Sequence, residues 1–510
     1  MKSLRLLASM ALSLAVVPAM LNAPVSAQDR PSSLVTMLNP VELARLAERA
    51  KHFATPGFED SVLADVVMSL RQRLEIRRHD PERNPDPNAC TLILPCVGDP
   101  RLDHFATTPG ALERPVLFTA RSGATLSGHV WATRGGPSRR PLVVILNGSL
   151  IDFEQGHWPE AQALARAGYV VLTFDVQGEG ASDQFGQGVD RLDSVGAGIP
   201  GLPHNGRPFY DGLVDALDFA LSTPLHPYVP RPSSGSHTSH AAKQIRRVRE
   251  GLDSGFDPLW RMIDHRHVGV IGYSYGAVAA SYVAQRDRRV DSVVAWDSLC
   301  FPVTPSPDEV SGLFLSNPTS LVPGLRMPLA AQIPADCFGA PPGPAPAPRV
   351  PSLGISADFV LPGLIQSTSA GAKAAASRRY SRHGVDSGQI VIQGGSHADF
   401  VFVGSIPVLP ATLRGLDMAT WYTIAWFDKY LRHLPGADSR LMSDRWRRDP
   451  GTRLADPVHD PNLFSQVFDS RMSIRRYSGA RWTCEDLRTG CPGGTHSTGA
   501  PFDYATYDTN

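Results

Sequence analysis

Hydrophobic positions along the chain follow two rhythms. Within residues 41–78, Leu43, Leu46, Ala47 and Ala50, then Val62, Val66, Val67 and Leu70, recur at helical spacing and predict an amphipathic helical extension. From residue 116 the rhythm changes: Val116–Ala120 and Leu126–Thr133 flank a turn at Ser122-Gly123 and read as a hairpin. Apolar runs follow at Leu142–Leu146, Tyr169–Phe174, Val268–Ile271, Val290–Ala295, Ser352–Ser356 and Gln389–Ile392, with a helical segment at Trp158–Ala167 between the first two. Uninterrupted runs suit strands covered on both faces, as in parallel sheets with helical crossovers. The alternation predicts an α/β protein with a doubly wound, mostly parallel sheet. Leu413–Leu434, with Leu416, Trp421, Ile424, Trp426, Phe427, Tyr430 and Leu431, reads as the last core-packing helix.

Two insertions interrupt this pattern. Residues 225–262 are polar and rich in Ser, His and Arg, whereas 302–350 hold 12 prolines and few charges. Loops this long inside a domain are functional lids or disordered segments. Pro341–Pro348 reads as an extended connector. The second insertion is expected to form a small cap, with a surface excursion pinned by a disulfide as the alternative. Its Leu313, Phe314, Leu315, Leu321, Val322 and Leu325 suit either an apolar acyl or aromatic group or packing against the core. Beyond Pro435 the chain reads as charged and irregular. The expected organisation is a leader at 1–27, a helical extension at 28–112, a sheet domain at 113–434 and a C-terminal extension at 435–510.

Composition narrows the setting. At 510 residues and 42% hydrophobic content the chain can bury a large core. Lys2 and Arg5, the apolar stretch Leu6–Leu21 and the small residues Val25-Ser26-Ala27 read as a secretory signal, which predicts an exported protein, periplasmic or extracellular. No later stretch reaches the 18 or so uninterrupted apolar residues of a spanning helix, so stable membrane insertion is not expected. Without Lys2 and Arg5 the chain has 47 basic and 49 acidic residues, a balance that gives nucleic-acid binding no electrostatic support. The one basic cluster, Lys243, Arg246, Arg247 and Arg249, reads as a solvated helix face rather than a phosphate site. Cysteines 90, 96, 300, 337, 484 and 491 form an even set, which in an exported chain points to disulfides; nearest-neighbour pairing is one of 15 connectivities. Their spacings match no common zinc pattern, and no metal or organic cofactor is implied.

The residues with chemical promise begin at the run Val268–Ile271. It leads into Gly272-Tyr273-Ser274-Tyr275-Gly276, and small, helix-compatible residues follow from Ala277 to Ala284. A serine held on a sharp strand-to-helix turn needs neighbours without a Cβ two residues before and two after. In a chain with 45 glycines an ordinary loop is the bland alternative. The flanking strand and helix favour a nucleophile.

On these residues the chain resembles the α/β-hydrolase superfamily over roughly residues 113–434, in its dienelactone-hydrolase-like and prolyl-peptidase-like branches. The resemblance implies a nucleophile, an acid and a histidine in chain order, each on a loop after a strand. Ser274 takes the first role, Asp358, after Leu353–Ala357, the second, and His397, in Gly394-Gly395-Ser396-His397, the third. Asp297, after Ala295-Trp296, is the rival acid, and Asp399 lies too close to His397 in sequence. The resemblance also implies an oxyanion hole of backbone N–H groups from Tyr275 and from Asn147-Gly148-Ser149-Leu150, with Ser149 preferred and Leu150 next. Family members commonly have His-Gly at the start of this loop, and Asn147 departs from that. The run Phe174–Asp183 resembles the D-x-x-G-x-G-x-S turn of the same branches, where its role would be structural.

The implied activity is ester hydrolysis through an acyl-enzyme, on a small-molecule or polymeric ester. A peptidase or amidase, an acyltransferase of the same fold and a catalytically inactive binding protein are the alternatives. No propeller repeat precedes the core, which disfavours a large oligopeptidase. Neither the substrate nor the oligomeric state is specified by these residues.

Overall fold

The computed structural model describes residues 74–85, 105, 109–149, 152–191, 207–296, 299, 347–361, 365–366, 370–401, 413–443, 470–487 and 489–495. Within them the chain builds one sheet from β1 (Ala111–Thr119), β2 (Thr125–Thr133), β3 (Arg140–Leu146), β4 (Val170–Phe174), β5 (Ile263–Tyr273), β6 (Ser292–Trp296), β7 (Ser352–Leu361), β8 (Ile365–Gln366), β9 (Ser387–Ser396), β10 (Arg471–Arg475) and β11 (Arg481–Cys484). The helices are α1 (Trp158–Arg166), α2 (Arg207–Ala220), α3 (Ala241–Arg249), α4 (Tyr275–Arg286), α5 (Ala370–Arg382), α6 (Leu413–Tyr430) and α7 (Gly436–Leu441). Strand order is β1-β2-β4-β3-β5-β6-β7-β9-β10-β11, with β8 paired to β7 alone. Neighbours from β4 through β9 along this path pair in parallel, while β1, β2, β10 and β11 join antiparallel. The sheet is thus α/β and mostly parallel, as expected.

Two large cores, one on each face, explain most of the uninterrupted apolar runs, and a small third cluster joins Ala295 to Ala376 and Tyr380. Successive strand residues point to opposite faces. From β3, Val143 and Ile145 enter a cluster with Val171, Ile271, α1 and α6, whereas Leu142, Val144 and Leu146 enter another with Leu172, Val270, α2 and α4. Each such side chain stabilises the fold by roughly 1.5–3 kcal/mol when fully buried. A polar residue at any of these positions would therefore cost stability whichever face it met.

The hairpin of β1 and β2 forms as expected, with Thr119 opposite Thr125 around Gly123 at φ 84°. The 225–262 insertion is neither lid nor disorder but covers this hairpin. Tyr228 Oη donates to the Thr119 carbonyl at 2.8 Å, and the Thr119 N–H donates to Gln244 Oε1 at 2.7 Å. The solvated-face expectation for the basic cluster is also corrected. Arg247 is fully buried between Asp80 at 2.6 Å and Asp253 at 2.9 Å, and buried Lys243 donates to the Gly123 carbonyl at 2.6 Å. These residues, four apart on α3, share the face against the hairpin, while Arg246 and Arg249 are exposed.

The region beyond Pro435 is likewise not wholly irregular. Met472 and Ile474 alternate into the α6-side core, and β10 pairs with β9 through Met472 opposite Gly388. Cys484 and Cys491 are bonded, as nearest-neighbour pairing expected. Cys90, Cys96, Cys300, Cys337, the leader, most of the 28–112 extension and the 302–346 part of the cap lie outside the described residues. No helix among the described residues is long and apolar enough to cross a membrane.

Candidate active site

The chain leaves β3 for β4 on one side, then returns to place β5 on the other side of β3 and continues outward through β6, β7 and β9. Connections after β3 and β5 therefore diverge, which opens a crevice at the carboxyl ends of these two strands. Leu146 of β3 pairs with Gly272 of β5, so Asn147-Gly148-Ser149 and Tyr273-Ser274-Tyr275 emerge side by side at that crevice.

Ser274 is the residue between β5 and α4, with φ 54° and ψ −120°. A positive φ brings Cβ against the backbone and is costly for a non-glycine residue, so the turn holds Ser274 in a strained conformation. Its N–H donates to the Trp296 carbonyl at 3.0 Å and its carbonyl accepts the Ala277 N–H at 3.0 Å. The flanking glycines are obligatory. A Cβ on Gly272 would overlap the Gly276 carbonyl and lie 2.7 Å from Ala277 N; one on Gly276 would overlap the Asn147 carbonyl and lie 2.9 Å from the Leu146 oxygen. Tyr275 opens α4, so its N–H belongs to the first turn, where the helix end is electropositive.

The loop after β3 is tied in place by its own side chains. Asn147 Nδ2 donates to the Gly148 carbonyl at 2.9 Å, and Asn147 Oδ1 accepts the Val176 N–H at 3.0 Å. The Gly148 N–H donates to Asp152 Oδ2, and that same oxygen lies 2.8 Å from His157 Nε2. Gly148 is therefore committed within the loop, and Ser149, half-buried, is the next N–H along. A Cβ on Gly148 would come within 3.0 Å of Ser274 Cβ, so the loop abuts Ser274. Leu150 lies outside the described residues.

His397 follows β9 directly and begins a short helical turn, His397–Phe400. Its ring centroid is 4.7 Å from that of Tyr273, and its carbonyl accepts the Tyr273 hydroxyl at 2.8 Å. Tyr273, next to Ser274, is thus in contact with His397, although β5 and β9 stand three places apart in the sheet. Asp358 was expected on a loop but lies within β7, which runs on to Leu361. The strand continues because pairing resumes after an irregularity: Ala357 pairs with Ile392, then Phe359 pairs with Ser396. Asp358 thus sits one residue before, and His397 one residue after, a paired position. Asp297 lies outside the described residues.

The Phe174–Asp183 turn has the structural role expected of it. Asp175 accepts the Glu154 N–H at 2.7 Å and the Ala181 N–H at 2.8 Å, while Ser182 Oγ accepts the Ser127 N–H at 2.9 Å. Burial, and then the neighbouring Glu154 carboxyl, push Asp175 well above the usual carboxylate range. Sequence reasoning missed Asp152 and His157, both buried beside the crevice, with the His157 ring 5.5 Å from Tyr273 and 5.9 Å from Trp296. Their only signal is an Asp four residues beyond Gly148 and a His five beyond that Asp. Neither a scan against protein-family models nor a search of curated proteins finds a match to this chain.

Proposed function

We propose that the chain is a serine hydrolase of the α/β-hydrolase type that cleaves carboxylic esters through an acyl-enzyme. The observation that carries this reading is the strained Ser274 at the end of β5, with both flanking glycines required by backbone contact. Strain of this kind persists where the surrounding structure over-determines it, and it clusters at functional sites. The position at the switch point of the sheet supports the same reading.

In the proposed reaction Ser274 Oγ attacks the ester carbonyl while His397 takes its proton and returns it to the leaving alcohol. Asp358 orients the imidazole and stabilises its charged form. The Tyr275 and Ser149 N–H groups receive the developing oxyanion. Water then repeats the sequence on the acyl-enzyme. The Cys484–Cys491 bond supports an oxidising compartment and hence an exported protein.

The test pairs labelling with kinetics. A fluorophosphonate probe is expected to label the wild type but not Ser274→Ala, and short p-nitrophenyl esters to be hydrolysed at least about 10³-fold more slowly by the variant. Wild-type turnover by Ser274→Ala would sink the reading. A panel of esters, peptide amides and acyl acceptors separates the esterase from its amidase and acyltransferase relatives in chemistry.

A further inference from the structure

We propose that Asn147 and Asp152, with His157 behind Asp152, are positioning residues that preset the Ser149 N–H toward the oxyanion. The proposal rests on the serine-hydrolase reading above. A trans peptide is planar, so the Gly148 carbonyl and the Ser149 N–H point in opposite directions from one rigid plate. Asn147 Nδ2 holds that carbonyl at 2.9 Å and reaches the Asp152 carbonyl at 3.4 Å. Its Oδ1 is committed to the Val176 N–H at 3.0 Å, so the amide cannot turn without breaking a contact to the loop after β4. One end of the plate is therefore clamped, and the direction of the Ser149 N–H follows.

The preceding plate is clamped as well. Asp152 Oδ2 accepts the Gly148 N–H, Oδ1 accepts the Phe153 N–H at 2.9 Å, and His157 Nε2 lies 2.8 Å from Oδ2. Asp152 and His157 are each 2% exposed, and His157 Nδ1 is buried with no hydrogen-bond partner. An orphaned Nδ1 costs least as a bare lone pair, which places the proton on Nε2, where it donates to the carboxylate. A donor held this way needs no reorganisation when charge develops on the oxyanion. Where the resembled family commonly has His, the Asn147 amide has an acceptor and a donor, and this loop uses both.

The experiment uses the full chain. Asn147→Ala and Asp152→Ala are expected to lower kcat for p-nitrophenyl esters by up to about 10²-fold, with KM within about threefold, because a donor to the transition state is lost rather than ground-state binding. Asp152→Asn, which keeps an acceptor for the Gly148 N–H, should recover part of the loss. His157→Gln should stay near wild type and His157→Phe fall, so this pair keeps the idea testable if Asp152→Ala does not fold. A second readout is independent of turnover. The sequence has two Asn-Gly steps, Asn147-Gly148 and Asn205-Gly206, so labelling Asn carbonyl carbon and Gly nitrogen yields two NMR cross-peaks. The one lost in Asn147→Ala should lie downfield in the wild type and move upfield in Asp152→Ala. Unchanged kcat in Asn147→Ala and Asp152→Ala, with the wild type active and labelled by fluorophosphonate, would overturn the network and leave the hydrolase reading standing. A wild type inert to both probe and esters would remove the two together.

Discussion

Replacing Ser274 by glycine should make the protein more stable than replacing it by alanine. Alanine keeps the Cβ that φ 54°, ψ −120° crowds against the backbone, whereas glycine removes it. Strain of this type amounts to about 1–3 kcal/mol. Glycine loses about 0.5–1 kcal/mol through the extra freedom of its unfolded chain. The difference leaves Ser274→Gly ahead of Ser274→Ala by about 1 kcal/mol, although at an ordinary helical site the order is reversed. Exposed Ala242 in α3 provides that control, where Ala242→Gly should lose about 1 kcal/mol. Equilibrium urea denaturation of the three variants at one pH measures all of these quantities. If Ser274→Gly is less stable than Ser274→Ala by the amount seen at Ala242, the turn at Ser274 holds no strain and the principal support for a nucleophile there is gone.

Four other outcomes follow from contacts described above or from the same core. Gly276→Ala should cost at least about 3 kcal/mol or abolish soluble yield, since its Cβ meets backbone that cannot swing aside; a variant with near wild-type urea midpoint would contradict this. Arg247→Ala should cost about 3–5 kcal/mol in the same assay, because Asp80 and Asp253 lose the guanidinium between them. Breaking Cys484–Cys491, a separation of 7 residues, should cost roughly 2.5 kcal/mol by loop-closure entropy, read as the gap between reduced and oxidised denaturation curves. Burial pushes the Asp257 carboxyl up to about 7, with Oδ2 unpartnered and Oδ1 on the Leu259 N–H. Between about pH 4 and pH 7 the folded chain retains a proton there that the unfolded chain releases, so stability falls as pH rises through that window, by on the order of 4 kcal/mol. Asp257→Asn should flatten this slope in pH-dependent denaturation.

The strands of the inner sheet were legible because both of their faces are apolar, and nothing else in a sequence looks like that. Their ends were not. β7 and β9 run past the apolar runs through Phe359 and Ser396, whose pairing depends on an irregularity invisible to a period of two. Arg247 was misread because charge pattern alone assigns arginine to solvent, and its carboxylate partners, Asp80, Glu82 and Asp253, come from two segments, Asp80 being 167 residues away. β10 is five residues long with Arg at each end, and its alternation gains meaning only beside β9. The turn at Ser274 was legible since its constraint is local: two missing Cβ atoms within five residues. Asp152 and His157 were not, because their pairing takes effect only when the loop after β3 is folded against Ser274.

The hairpin of β10 and β11 has a consequence for how the chain matures. Until residues 471–475 are made and docked, β9 ends the sheet with an open row of N–H and C=O groups at Ser387, Gly388 and Gln389. An unpaired strand edge is a template for another chain. The strand that leads into His397 is therefore the last of the inner sheet to gain its outer neighbour, by a pairing between residues more than 80 apart, which is slow to form by loop closure. Aggregation during synthesis or refolding should start from this edge, and a chain cut before β10 would expose it permanently.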